Sequence, residues 1–416
     1  MGSTQGVKDR QILRHILDGE GYLISRGRTT VHSQFVVGRL ERDAAFAVRL
    51  LARGTRTSIR SHPFDRRARH GGSDAAKPHC CAVQESRGCW GFRSLFESGR
   101  ATPRYKQPVR LCSVSIDLDD IACYTAIHDL ASAAPCHAVY DLALGRIREF
   151  AGGLALPLTL FVIARDLERE PNVALLRRAV SDGHEIGNHS LDHCYDLTKR
   201  EAGEQRHQVV EANHRIEALL GVRPQGFRAP GYTMSDRLMG VLREAGFSYD
   251  SSVFPCPPYY AAKAAALLSM KLRGRVSKSV LDSPDVLRAP ITPYRAGDPY
   301  WTRGGSLLEL PIQVVGPLRL PFIGTSLTVL GPSGARLLTH GLVGLPFVNL
   351  ELHGIDFLEA DDVPKAVRAV QPDVRVPLER KLSALSAVVE TLRSNGYAFQ
   401  RLDEAAAMFA RSVGEQ

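Results

Sequence analysis

No stretch of this chain is an uninterrupted apolar run long enough to span a bilayer. Cysteine is present but unpatterned: Cys80, Cys81, Cys89, Cys112, Cys123, Cys136, Cys194 and Cys256 follow no disulfide-framework spacing. There is no CxxC pair, which speaks against a zinc knuckle built from His79, Cys80, Cys81 and Cys89. The first thirty residues lack a basic segment followed by a continuous apolar core. No secretory signal is read there, and a cytoplasmic location is expected if Met1 is the true start. No methionine falls between Met1 and Met234, so a later start would need a non-ATG codon, for instance near Val109. Internal repeats are absent.

Acidic residues are scarce in the N-terminal quarter. Residues 1–110 carry 21 Lys and Arg against 9 Asp and Glu, a net of +12; the rest carries 32 against 35, a net of −3. The basic balance therefore belongs to residues 1–108, an Arg-rich extension with weak helical periodicity and few caps, expected to hold little packed core. Such an arm can bind nucleic acid or anionic lipid, but a solvated tail is the plainer reading, and no nucleic-acid partner is expected.

From about Pro108 short apolar runs alternate with amphipathic segments, the pattern of an α/β fold. Strands are expected at Leu111–Ile116, Leu156–Ala164, His184–Asn188, Gly226–Ala229, Phe247–Asp250, Leu307–Val314, Phe347–Leu352 and Tyr397–Leu402. Helices are expected at Val173–Ser181, Thr198–Leu220, Asp236–Ala245 and Lys381–Asn395, with Gly221 and Gly246 as stops. Residues 255–305 break the rhythm and read as an insertion or lid. Six or seven strand–helix units suit a barrel, in which functional groups gather at the C-terminal ends of the strands.

The polar residues fall at those ends. Asp117, Asp119 and Asp120 follow the first strand, and His189 and His193 follow the third. Arg228 and Tyr232 come after the next, Asp250 ends another, and His353 ends the late one. The spacing of His189 and His193 on a helix, or the first turn of one, would place both imidazoles on one face, half of a divalent-metal site. Residue 190 is Ser and no glutamate lies between the histidines, which rules out an HExxH metalloprotease.

Together the motifs resemble the NodB-homology polysaccharide deacetylases (carbohydrate esterase family four) over about residues 109–410. They are the aspartates after strand one, Gly-His-Glu-Ile-Gly-Asn-His-Ser-x-x-His at residues 183–193, Arg-Ala-Pro-Gly-Tyr at 228–232, an acid before Ser-Ser at 250–252, and Leu-His at 352–353. The Asp-Leu-Asp-Asp order resembles the Asp-x-Asp branch, which includes imide and formamide hydrolases, so the acyl group stays open.

The resemblance implies a distorted (β/α) barrel of about seven strands. It implies Asp119, His189 and His193 as ligands of a divalent metal, Zn²⁺ first, with Co²⁺, Mn²⁺ or Fe²⁺ also admitted by the mixed donor set. Asp117 would be the general base, oriented and kept ionised by Arg228. The Tyr232 backbone N–H would be the oxyanion donor, and His353 the general acid, held protonated by Asp250. Asp120 reads more simply as a cap than as a metal ligand, Asp356 equally as a loop cap or as a group reaching the site, Asp192 as a solvated acid or one behind the site, and His184 as packing at its strand.

The substrate expected is an N-acylated sugar in a glycan or glycolipid. The apolar Leu318–Leu330 reads most simply as a buried barrel element, with a groove for a lipid-linked sugar as the alternative, and peripheral membrane contact is left open. Tyr259, Tyr260, Tyr294, Tyr300 and Trp301 would stack on sugar rings or form the lid's own core. A cyclic imide hydrolase using the same metal, and a carbohydrate-binding protein without turnover, are the alternatives.

Overall fold

The computed structural model describes residues 110–130 and 136–412, so the expectations for residues 1–108 lie outside the described residues. The strands are β1 (Arg110–Asp117), β2 (Leu158–Val162), β3 (Glu185–Asn188), β4 (Gly226–Phe227), β5 (Tyr249–Asp250), β6 (Tyr294–Ala296), β7 (Arg303–Glu309), β8 (Val314–Val315), β9 (Leu320–Pro321), β10 (Phe347–His353) and β11 (Tyr397–Phe399). The helices are α1 (Ile121–Ile127), α2 (Leu144–Gly153), α3 (Glu170–Ser181), α4 (Ala202–Leu220), α5 (Asp236–Glu244), α6 (Pro257–Leu272), α7 (Gly324–His340), α8 (Lys365–Val370), α9 (Leu378–Ser394) and α10 (Leu402–Ser412).

A 9-stranded curled sheet forms the body, in the order β10-β1-β2-β3-β4-β5-β7-β6, with β11 beside β1. Apart from the edge strand β6 and the short β11, the path is seven parallel strands. The opening between β7 and β10 is bridged by extended chain, where the Gln313 amide donates to the Asn349 carbonyl at 3.2 Å. The fold is a distorted (β/α) barrel.

Strand alternation explains the layering. In β1, Cys112, Val114 and Ile116 join the core between sheet and helices, while Ser113, Ser115 and Asp117 take the other face. In β10, Val348, Leu350 and Leu352 join the same core, while Asn349, Glu351 and His353 occupy the other face. At the amino end of the strands, Leu402, Ala405 and Ala406 of α10 cluster with Leu111, Phe161, Tyr249 and Phe347, plugging the interior. Leu350→Ala is expected to lower stability by about 2–5 kcal/mol, since the site cannot collapse around the deletion.

Local chemistry sets the helix ends. Ser235 accepts from the Leu238 amide and starts α5, while Gly221 stops α4 with a positive φ of 73°. α4 begins later than its periodicity suggests because Leu197–Lys199 forms a separate 3₁₀ turn.

Residues 255–305 comprise the exposed α6, a 3₁₀ turn at Pro284–Arg288, and chain that enters the sheet as β6 and the start of β7. Tyr294 and Tyr300 are buried with Met239, Leu242 and Phe247, and Trp301 packs against them. The Tyr294 and Tyr300 rings are covered by protein and unavailable to a sugar, while Trp301 is half-buried. The stretch 318–330 is divided in the same way: Phe322 is buried, while Leu318, Val329 and Leu330 are exposed.

Candidate active site

Parallel pairing brings the strand ends into one rim. Asp117 and His353 are register partners across β1 and β10, Asn188 pairs with Phe227, and Phe227 with Asp250. His189 and Arg228 follow immediately after their strands and so reach the same place.

The two histidines sit on a turn, which corrects the helical expectation. Ser190 and His193 have φ of 67° and 53°. Asn188 holds the turn: its Oδ1 accepts from the Ser190 amide at 2.7 Å, while its Nδ2 donates to the Val209 carbonyl and to Asn213 Oδ1. Ser190 Oγ then accepts from the His193 amide at 3.0 Å, and Gln208 Oε1 from the Asp192 amide. With Tyr232 (φ 60°), half of the six described non-glycine residues at positive φ lie here, where such strain concentrates.

The result is a compact donor set. His189 Nε2 lies 3.1 Å and His193 Nε2 3.2 Å from Asp119 Oδ1. One ligand atom from each of the three residues falls within 4.8 Å of the others. His189 Nδ1–H donates to the Arg228 carbonyl at 2.8 Å, which fixes the tautomer and leaves Nε2 with a free lone pair. Neither ring nitrogen of His193 has a hydrogen-bond partner, nor does Asp119 Oδ1, although all are buried. Buried polar atoms left unpaired are costly unless something else satisfies them. Burial alone would raise Asp119, but the imidazoles of His193 and His189 hold its carboxyl below the usual range. Burial, with His189 and His353 nearby, pushes His193 down to about 4, keeping it a neutral ligand at neutral pH. The residues fit a divalent cation on donor type, tautomer and unspent valence.

Beside the donor set stands a second pair of groups. Arg228 is fully buried and makes four hydrogen bonds: it donates to Asp117 Oδ1 (2.8 Å), Ser115 Oγ (2.9 Å), Ser251 Oγ (2.8 Å) and the Ser251 carbonyl (2.8 Å), with its guanidinium 4.4 Å over Phe161. Ordinary surface arginines make no such set of contacts. Asp117 Oδ2, free of Arg228, points to His189 Nε2 at 3.7 Å.

The effect on ionisation differs from expectation. Burial raises the Asp117 carboxyl despite Arg228, His189 and His353, so the arginine orients this group without lowering it overall. Burial disfavours the His353 cation, but Glu351, Asp117 and Asp119 raise its pKa well above the ordinary imidazole value.

Two assignments are corrected by the contacts. The carboxylate against His353 Nδ1 is that of Glu351, at 3.0 Å, and not that of Asp250. Asp250 instead accepts from Ser252 Oγ at 2.7 Å and pairs with Glu309 across β5 and β7, and Ser252 Oγ accepts from the Ala229 amide. The acid-Ser-Ser motif therefore shapes the loop that carries Arg228. The Tyr232 amide donates to the Ala229 carbonyl at 3.0 Å, so this N–H is already engaged; its hydroxyl faces His353 Nε2 at 3.3 Å. Glu351 had one readable signal: it precedes His353 by two residues, so both share one strand face.

The remaining acids behave as caps and struts. Asp120 caps α1 and contacts His137, and Asp356 accepts from the His353 amide at 2.9 Å. A Cβ at Gly324 would meet Asp356 Oδ2 at 1.8 Å, so glycine is needed there for the approach. Asp192 pairs with Arg165 at 2.6 Å, and His184 Nδ1 accepts from the Leu158 amide. A cleft of about 760 Å³ opens beside His193 and is lined by Cys123, Asp166, Tyr195, Arg200 and Lys278.

Fold and donor set together define the class: a (β/α)-barrel protein with a donor set fit for a divalent metal at the C-terminal ends of its strands. Residues 153–249 match the family model described as polysaccharide deacetylase. It is 36% identical over 73 residues to the protein YlxY of Bacillus subtilis, covering 18% of this chain and 23% of that one. It is 32% identical over 94 residues to a chitooligosaccharide deacetylase of Bradyrhizobium, covering 22% and 42%. The chain spans less than half the length of the curated relatives it matches. Among solved structures it is similar to a family 4 acetyl xylan esterase from Clostridium thermocellum in complex with a cobalt ion, at 16% identity and TM-score 0.38 over 72% of this chain and 91% of that one.

Proposed function

We propose that the protein is a metal-dependent N-deacylase that hydrolyses the N-acyl group, acetyl in the simplest case, of an amino sugar. One observation carries the reading: Asp117 and His353, register partners on adjacent strands, flank the converging ligand atoms of Asp119, His189 and His193. The match to the polysaccharide deacetylase family supports the same reading.

Asp119, His189 and His193 would hold the divalent ion, Zn²⁺ on the mixed oxygen and nitrogen donors. When bound, such an ion lowers the pKa of water towards about 7 and polarises an acyl carbonyl. Asp117 then acts as general base. Arg228 fixes its Oδ1, leaving Oδ2 to take the proton of the attacking water. His353, kept protonated by Glu351, delivers a proton from Nε2 to the leaving nitrogen as the C–N bond breaks. Carboxylate and free amine are the products. The Tyr232 hydroxyl, 3.3 Å from His353 Nε2, helps aim that imidazole.

The experiment is metal analysis of the full chain beside a His189→Ala, His193→Ala variant, with acetate and amine assayed from N-acetylated sugars. A variant that retains the parent's metal content would sink the reading. Ring opening of an imide with no fragment lost would transfer the same residues to a different substrate.

A further inference from the structure

The 16-residue helix α6 has no buried residue at all. One side rests on the barrel: Tyr259 lies 5.8 Å from the Tyr232 ring and 5.0 Å from Phe254, and Lys263 Nζ donates to the Gly231 carbonyl. The opposite side carries Ala261, Ala265, Leu268 and Leu272, spaced so that they form one stripe along the helix. Leu268 is 58% and Leu272 79% exposed, and the chain continues through Val276 at 76%. Such a run of apolar side chains facing solvent marks a surface that meets something.

The charges around the stripe say what it meets. Between Pro257 and Leu281 the sequence has Lys263, Lys271, Arg273, Arg275 and Lys278 and no Asp or Glu. Lys271, Arg273, Arg275 and Lys278 are exposed, and none takes part in an ion pair among the described residues. A second copy of this chain meeting the same face would set cation against cation. No helix among the described residues is long and apolar enough to cross a membrane. An apolar stripe ringed by cations fits a helix lying in the plane of an anionic lipid surface, with leucines among the acyl chains and Lys and Arg at the headgroups.

We propose that α6 and the basic segment after it dock the protein on an anionic lipid surface. Ser277, Lys278 and Val280 line the cleft that also contains His193 and Tyr195, so docking sets the mouth of that cleft at the headgroups. The substrate class that follows, an N-acylated amino sugar carried on a lipid, rests on the deacylase reading; the docking does not.

The test is co-sedimentation of the full chain with phosphatidylcholine vesicles, with and without phosphatidylglycerol. It compares the parent with Leu268→Asp/Leu272→Asp and with Lys271→Glu/Arg273→Glu/Arg275→Glu. Both variants alter exposed side chains, so thermal midpoint and metal content should hold. The parent should prefer the anionic vesicles by about tenfold or more, and each variant should lose most of that preference. Unchanged binding in both variants overturns the proposal, because the basic residues 1–110 would then account for the binding. A dimer dissolved by the aspartates, with vesicle binding unaltered, overturns it in favour of a second copy. Turnover of a soluble N-acetylated sugar should survive in both variants, while turnover of an N-acetylated glycolipid in vesicles falls. If the parent turns over neither substrate, the deacylase reading fails and the vesicle result stands by itself.

Discussion

Two buried carboxylate clusters occupy opposite ends of the same strands, and they differ in what is left over. At the amino end, Glu185 Oε2 accepts from Thr159 Oγ1 (2.6 Å) and the Asp403 amide (3.0 Å), and Oε1 accepts from the Tyr249 hydroxyl (2.8 Å). Both of its oxygens are used, and it ties α10 to the barrel floor. At the carboxyl end, Asp119 Oδ1 and both nitrogens of His193 have no hydrogen-bond partner. Both clusters are buried, and both contain groups with shifted pKa values. Burial and a shifted pKa therefore do not separate a site from a strut; the convergence of ligand atoms from Asp119, His189 and His193 within 4.8 Å, with unspent valence on Asp119 and His193, does.

The sharpest test of that contrast removes the unspent donors. His189→Ala with His193→Ala should take bound metal from about one per chain to none and abolish turnover. The barrel should still fold, because the strands keep their core. Next comes the base: Asp117→Asn keeps the contact to Arg228 but cannot take a proton, and should lower kcat by about 10²- to 10⁴-fold with metal retained. Retained activity would move the base elsewhere.

A smaller effect separates Glu351 from Asp250. Glu351 raises the pKa of His353, so Glu351→Gln should lower it and move the alkaline limb of kcat/KM down by about 1–3 pH units. Asp250→Asn should leave that limb in place. The reverse result would restore Asp250 as the partner of His353.

The smallest effect lies at the floor. Burial and Asp403 raise Glu185 from its ordinary value of 4.5 to about 7, so the folded state binds a proton more tightly than the unfolded chain. Its contribution is greatest below 4.5 and is lost as pH climbs towards 7. Glu185→Gln should thus be more stable than the parent at pH 8 by about 1–3 kcal/mol and nearly unchanged at pH 4. Denaturant titration at both values checks this; a variant less stable at pH 8 would assign the carboxylate a stabilising charge.

Much of the architecture was legible because it is written in periods. Alternation in β1 and β10, the run of α4 up to Gly221, and the Ser235 cap are local patterns that side-chain geometry enforces. The donor types were legible for the same reason, since aspartate and histidine placed just after strands arrive at one rim of any barrel. The turn at Ser190–His193 was not. Its backbone is held by Asn188, whose partners lie on α4, and by Gln208 of α4 itself, and spacing alone suggested a helix. Glu351 was missed because glutamate inside an apolar strand resembles an ordinary core exception.

The sequence by itself determined that this chain makes an α/β barrel and carries aspartates, histidines and an arginine at the strand ends. Which of them touch was decided by the tertiary structure. The Arg228–Asp117 pair spans 111 residues and the Ser115–Asn349 contact 234. Contacts of that range depend on strand order and register, and those are settled when the whole sheet closes around its core.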